Sequence, residues 1–174
     1  MTNLQTGKPG ALSSATQFVR RRYNQMAPLF DFVERVAGGA RLLQWRALLW
    51  SKVDGNRILE VGVGSGANFP FYPTGVDVTA IDLSERMLQR AKSRAASRGL
   101  NVRLEQMDAQ NLQLSDNTFD TVVATLVFCA VPDPLRGLQE LRRVCKPGGK
   151  VLLREPVQSS HRVLKSIHKM RNPG

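Results

Sequence analysis

Residues Ile58–Gly66 read ILEVGVGSG, a short apolar run that leads through one acidic residue into three alternating glycines. The run Arg57–Val61 has the length and character of a buried strand. Glycines at 62, 64 and 66 let the backbone turn sharply behind it and approach a ligand closely, because no Cβ intervenes. The pattern gains meaning only where a strand precedes it. Without one, it is a tight loop.

Downstream, further apolar runs follow at Val76–Ile81, Val102–Gln106, Thr118–Thr125 and Lys150–Arg154. Helical patterns lie between them. Ser84–Ser97 carries Met87, Leu88, Ala91 and Ala95 on one side, with Ser84 as N-cap. Asp133–Cys145 opens with Asp133 as cap and Pro134 at the first helical position. Leu135, Leu138, Leu141 and Val144 step by three along its expected buried face, and Pro147-Gly148-Gly149 stops it. Strand–helix alternation of this kind predicts an α/β fold, a doubly wound parallel sheet covered on both faces.

Upstream, Phe18, Val19, Tyr23, Met26, Leu29, Phe30 and Val33 recur at helical steps within Ser13–Val36. Pro28 is expected to break or kink this helix and Gly38-Gly39 to end it. In a second short helix, Leu42, Leu43, Trp45, Leu48, Leu49 and Trp50 are dense enough to predict substantial burial. The division that follows is a leader over residues 1–12, a helical cap over 13–53, a sheet domain over 54–156 and a basic tail over 157–174.

Open parallel sheets bind ligands beyond the carboxyl ends of their strands, where the strand order reverses. Acidic residues stand at those places. Asp82 ends the second strand, 20 residues after Gly62, where a carboxylate accepts hydrogen bonds from both ribose hydroxyls of a nucleoside. Asp108 follows the third strand, placed to meet an adenine amino group. Glu60, just before the glycines, either orders the loop or meets a cationic amine. The turn also satisfies a dinucleotide fingerprint, but that motif needs a helix to receive a pyrophosphate. Pro70 and Pro73 leave little room for one. An adenosine with a zwitterionic amino-acid tail has no such need. A P-loop is excluded, because no Gly-Lys-Ser/Thr follows.

The 174 residues suffice for one domain, and 25 Lys and Arg against 14 Asp and Glu give a net charge of +11. Such a field favours anionic partners. The basic residues concentrate in Arg20–Arg22, Arg86–Arg103 and Arg154–Arg171, most of them expected on solvated helix faces. Cys129 and Cys145 lack the spacing of a disulfide framework or a metal site. No apolar run reaches membrane-spanning length and Met1–Ala15 has no signal-peptide pattern, so a cytoplasmic protein is expected.

Four segments, ILEVGVGSG, VTAIDLSERML, MDAQNLQLSDNTFDTVV and ELRRVCKPGGKVLL, resemble the successive motifs of class I S-adenosylmethionine-dependent methyltransferases. The resemblance is to the methyltransferase type 11 branch, with its quinone, phospholipid and thiol methyltransferases, and runs from about Arg20 to Pro156. It implies S-adenosylmethionine as cofactor, with Gly62, Gly64 and Gly66 along its methionine part, Asp82 on the ribose, and Leu83 and Met87 flanking the adenine. Asp108 and Ala109 would read the adenine edge, and Thr125 would lie near the methionine end. Arg22–Asn24 and Ala27–Asp31 resemble the N-terminal lid, in which Tyr23 closes over the cofactor. Phe30 stands where the family pattern has Tyr. Tyr23 and Thr125 are the candidate catalytic residues, and no metal is implied.

Methyl transfer from a sulfonium is an in-line displacement that needs no dedicated acid or base. His161 and His168 are accordingly given no role. Acceptor contacts are expected from the lid and from Phe128–Pro132. The apolar segment Thr125–Val131 suits a small hydrophobic or lipid-like acceptor, with peripheral contact to an anionic membrane through the basic helices. A nucleic-acid methyltransferase is the alternative that the charge suggests, but no stacking-aromatic cluster or appended RNA-binding module supports it. Cofactor binding without turnover is the third reading. Family members continue past the fifth strand with a helix and two strands, and residues 157–174, basic and without another strand pattern, are not expected to supply them. The resemblance therefore predicts five strands in order 3-2-1-4-5, in a domain that is either marginally stable or has its exposed edge covered by homo-oligomerisation.

Overall fold

The computed structural model describes residues 12–155, without the side chains of residues 29–38. Nearly all of the leader, the basic tail with His161 and His168, and the Phe30 and Asp31 side chains lie outside the described residues.

Five strands form one parallel sheet: β1 (Arg57–Val61), β2 (Asp77–Asp82), β3 (Arg103–Gln106), β4 (Phe119–Thr125) and β5 (Cys145–Arg154). Their order is β3-β2-β1-β4-β5, as expected, and the reversal falls at β1. Three helices flank the sheet: α1 (Ser14–Trp50), α2 (Glu85–Ser97) and α3 (Pro134–Val144). Side chains alternate across β1. Leu59 and Val61 pack with Leu141 and Val144 of α3 on one face, whereas Ile58 packs with Leu49 and Trp50 of α1 on the other. Burial on both faces is why these strands read as continuous apolar runs.

Helix α1 departs from expectation at Pro28, which lies inside it without ending it. The break falls at Gly39, as expected of Gly38-Gly39, with φ 50° and ψ −163°. The lost N–H at a proline is tolerated where tertiary contacts hold the helix beside it. Here Ala27 is buried, and Asn24 Oδ1 accepts from Ser84 Oγ at 2.6 Å. The second part of α1 also corrects the expected burial. Arg46, Leu49 and Trp50 form the buried stripe at helical spacing, while Leu43, Trp45 and Leu48 are exposed. Trp50 stacks on Tyr72 with ring centroids 4.4 Å apart, and the Arg154 guanidinium lies 5.0 Å from the Trp45 ring centroid.

Two expectations around α3 also fail. Its caps are as read: Asp133 Oδ1 accepts from Arg136 N at 3.0 Å, with Pro134 next. Leu135 and Leu138, however, are exposed, and Gly137, Leu141 and Val144 are buried. Steps of three drift by about 60° each around a helix of 3.6 residues per turn, so Leu135 ends up opposite Val144. The helix ends at Val144, and Pro147-Gly148-Gly149 lies within β5 rather than stopping α3. The pairing skips from Phe119↔Cys145 to Thr121↔Lys150, so residues 146–149 form a bulge.

Candidate cofactor site

The carboxyl ends of β1 to β4 open into one cleft, walled on its outer side by Val19 and Tyr23 of α1. The turn after β1 forms its floor. Gly62 N and Val63 N both donate to the Ile81 carbonyl, at 2.8 and 3.0 Å, which pins the turn against β2. Gly62 has φ +74°, and a Cβ there would sit 2.2 Å from Val127 Cγ2. Only glycine lets the turn pass so close to the segment after β4. No α-helix joins β1 to β2; a single 3₁₀ turn, Phe69–Phe71, does. No helix N-terminus is therefore present to receive a pyrophosphate.

Asp82, at the end of β2, accepts from Gly64 N and from Ser84 N, each at 2.8 Å. Burial pushes its pKa up, and the backbone N–H groups of Ser84, Gly64 and Leu83 oppose that rise. Leu83 and Met87 continue the same wall. After β3, Asp108 closes a small turn in which Gln110 N donates to its Oδ1 at 2.9 Å. Ala109 and Met107 line the cleft beside it, and Thr125 lines it from the end of β4.

Most residues singled out in the sequence therefore face one cleft: Tyr23, Gly62, Gly64, Asp82, Leu83, Met87, Asp108, Ala109 and Thr125. Glu60 and Gly66 sit behind it. Glu60 is 1% exposed; its Oε1 accepts from Asn68 Nδ2 at 2.6 Å and its Oε2 from the Tyr72 hydroxyl. These are the contacts of a loop-ordering residue. Burial raises the Glu60 pKa to about 7, against the pull of Tyr72, Asn68 and Arg46. At Gly66 a Cβ would meet the Phe69 ring at 2.3 Å, so this glycine shapes the loop rather than the cleft wall.

Three polar residues escaped the sequence reading. Gln110 lines the cleft and gathers three elements. Its Nε2 donates to Asp108 Oδ1 at 2.9 Å and to Thr16 Oγ1 at 3.2 Å, and its Oε1 accepts from Asp133 N at 2.9 Å. Arg46 enters the cleft from α1 and donates to Asn68 Oδ1 at 2.6 Å. Glu155 caps the turn after β4, accepting from Val127 N at 2.8 Å and from Cys129 N at 3.3 Å. Leu126, at the cleft wall, has φ +60°, a conformation uncommon outside glycine that such capping helps to hold. The wall continues through Ala130, Val131 and Pro132, and is apolar there. Among the described residues no cluster of His, Cys, Asp and Glu could hold a metal ion, and no helix is long and apolar enough to cross a membrane.

Comparison with known proteins agrees with this architecture. The chain is 48% identical over 101 residues to a phosphatidylethanolamine N-methyltransferase of Cereibacter sphaeroides, covering 57% of this chain and 50% of that protein. It is 45% identical over 105 residues to a thiol S-methyltransferase of Rattus norvegicus, covering 58% and 42%. With a demethylmenaquinone methyltransferase of Paenarthrobacter aurescens it shares 31% identity over 141 residues, covering 79% and 54%. The chain thus spans about half the length of the curated relatives it matches. Among solved structures, the cyclase SpnF superposes with a TM-score of 0.72 at 27% identity, over 88% of this chain and 64% of that one. An S-adenosylmethionine-dependent methyltransferase from Aquifex aeolicus superposes with a TM-score of 0.63 at 25% identity, over 80% and 76%. A family model described as a methyltransferase domain matches residues 59–153, more than half of the chain. With its glycine turn, its reversal at β1 and that match in agreement, the chain belongs to the S-adenosylmethionine-dependent methyltransferase domain family.

Proposed function

We propose that the chain binds S-adenosylmethionine in this cleft and transfers its methyl group to a small hydrophobic or lipid-like acceptor. The observation that carries the reading is the division of the cleft: half-buried carboxylates at the ends of β2 and β3, an apolar wall after β4, and a glycine turn between them. The donor set fits the cofactor. Asp82 offers carboxylate oxygens to the ribose hydroxyls, Leu83 and Met87 flank the adenine, and Asp108 and Ala109 meet its edge. Gly62 and Gly64 bring bare backbone to the methionine part, with Thr125 near its end. Gly66 and Glu60 hold the loop that makes this approach available.

When bound, the cofactor would supply an electrophilic methyl carbon on a sulfonium, open to in-line displacement by an acceptor's lone pair with the thioether as leaving group. The chain contributes orientation and exclusion of water. Tyr23 of α1 closes the cleft from above, and Val127, Ala130 and Val131 keep the acceptor side dry. The relatives' names include a phospholipid, a thiol and a quinone precursor as acceptors, all compatible with an apolar wall. Exposed Phe18 and Leu135, with Arg21 and Arg136 close to them in sequence, make a rim suited to an anionic lipid surface.

Calorimetric titration with S-adenosylhomocysteine tests the cofactor step, and absence of binding overturns the proposal. Transfer of tritiated methyl to phospholipids, quinones, thiols and RNA then tests the acceptor. Label on a lipid, quinone or thiol is expected; label on RNA alone overturns that part, and binding without any labelled product supports cofactor binding without turnover.

A further inference from the structure

Strand β5 is the last in the sheet order, and no described strand pairs with its outer side. Its backbone has a definite orientation there. The Arg154 carbonyl accepts from Leu126 N at 2.8 Å and so points toward β4. Peptide groups alternate sides along a strand. Those of Lys150 and Leu152 therefore point to β4 as well, and the N–H and C=O groups of Val151 and Leu153 point outward. The side chains of the same two residues are 39% and 42% exposed. Their partners in the register, Val122 and Ala124, place them on the α3 face of the sheet.

Apolar surface borders this edge on both faces. The loop residues Leu112 and Leu114 occupy the flank of α3 that carries Glu140 and Arg143. At 3.6 residues per turn, Leu138 stands on the opposite flank, toward β5, and it is exposed. On the other face Leu152 packs against the core beneath α1, and exposed Trp45 lies over the Arg154 guanidinium. Edge strands are ordinarily defended by lysines, prolines or bulges. Here Pro147 and the bulge sit at the start of β5. Lys146 and Lys150 are bonded back to Asp120 and Asp54, and Arg154 lies against the Trp45 ring. The stretch 150–154 is left regular and open.

We propose that this edge is an interface between two copies of the chain, which pair antiparallel through β5 about a twofold axis at Leu152. The edge is complementary to itself. In this register Val151 of each copy faces Leu153 of the other, so the outward groups form two hydrogen-bonded pairs with apolar side chain against apolar side chain. The two Leu152 residues meet at the axis. Lys150 comes opposite Arg154 of the second copy, and the Asp54 carboxylate, 3.0 Å from the Lys150 ammonium, stands beside these cations. One strand pair with its flanking side chains makes a small interface, with a dissociation constant of roughly 1–100 µM. The pairing is independent of what the cleft binds.

Sedimentation velocity of the chain at roughly 1–200 µM tests this pairing. Wild type is expected to pass from monomer to dimer across that range. Leu153→Pro removes the outward N–H while leaving the ladder to β4 intact, and should weaken the dimer by roughly tenfold to a hundredfold. Leu153→Lys changes only an exposed side chain and should act in the same direction; it carries the comparison if the proline variant does not fold. Leu135→Ser, on the far side of α3, should dimerise like wild type. Leu152→Cys reads the register. Opposed residues of a non-hydrogen-bonded pair stand about 4.5 Å apart, within reach of a disulfide. Mild oxidation should therefore link two copies at a yield that wild type, with Cys129 and Cys145, does not reach. A wild type that stays monomeric overturns the proposal, with solvent or residues 156–174 then left to cover the edge. A dimer unchanged by both Leu153 variants belongs to another surface and overturns it too. Absence of the Leu152→Cys cross-link overturns the twofold register.

Discussion

The backbone N–H of Gly64 donates to Oδ2 of Asp82 at 2.8 Å, so the turn after β1 and the acidic end of β2 hold each other in place. Oδ1 of the same carboxylate accepts from Ser84 N at 2.8 Å, beside the start of α2. Asp82→Ala removes both acceptors together with the proposed ribose contacts. Loss of charged hydrogen bonds at about 1.5–3 kcal/mol each predicts at least tenfold weaker S-adenosylhomocysteine binding. Asp82→Asn keeps one acceptor and should fall between. Calorimetry in which both variants bind like wild type would remove Asp82 from the site.

Gly62→Ala places a methyl 2.2 Å from Val127 Cγ2 at a residue with φ +74°. Left-handed backbone costs an L-residue about 1–2 kcal/mol, and overpacking adds about 1–3 kcal/mol. Gly75→Ala is the control: its φ is +78°, but nothing lies within 4 Å of the added carbon. Urea denaturation should show Gly62→Ala as the more destabilised of the two. Equal losses would mean that Val127 yields freely.

Glu60 has a pH signature. Burial holds its carboxyl at about 7 in the folded protein, against an ordinary value of 4.5. Between those values the folded state binds more protons than the unfolded one, so stability falls as pH rises across that window. The shift corresponds to roughly 3–4 kcal/mol at most. Glu60→Gln keeps a neutral group in the same pocket and should flatten this part of the melting-temperature profile. Asp82 is shifted in the same direction, so the informative quantity is the difference between variant and wild type. Superimposable profiles would refute it.

The rim residues Phe18 and Leu135 are 62% and 67% exposed. If this edge rests on an anionic lipid surface, Phe18→Ser and Leu135→Ser should each lower co-sedimentation with phosphatidylglycerol vesicles by about threefold to tenfold, the scale expected for partial burial of one such side chain. Neutral phosphatidylcholine vesicles should bind wild type poorly. Equal binding of wild type and both variants to the anionic vesicles would take the membrane away from this rim.

What was legible in the sequence is what short-range chemistry decides. Strand cores such as Ile58–Val61 are apolar because both faces of the sheet are covered, and Ser84 and Asp133 cap helices through bonds to residues three positions on. Errors arose where distant partners decide. Pro28 stays inside α1 while the neighbouring Ala27 is buried, and Leu135 and Leu138 face outward because the buried stripe follows the true helical period. Arg46 and Gln110 look like ordinary solvated residues in sequence. Their partners Asn68, Thr16 and Asp133 lie 22 to 94 positions away.

Gln110 offers the last test, because one amide group joins the first turn of α1, the Asp108 turn and the cap of α3. Thr16, its partner in α1, is 2% exposed and also meets Ser13 Oγ at 2.9 Å. Gln110→Ala removes every bond of the bridge, but water can replace the exposed ones, so the global loss should be only about 1 kcal/mol. The local effect is larger than that figure suggests, since this one amide ties Thr16 in the first turn of α1 to both the Asp108 turn and the Asp133 cap. Amide exchange in the first two turns of α1 should accelerate about fivefold, while β1 and β4 are unchanged. Gln110→Glu is the sharper variant: it sets a second carboxylate against Asp108 and abolishes the donor to Thr16, so its exchange should be faster than in Gln110→Ala. Equal exchange in all three proteins would show that apolar packing, and not this amide, holds α1 over the cleft.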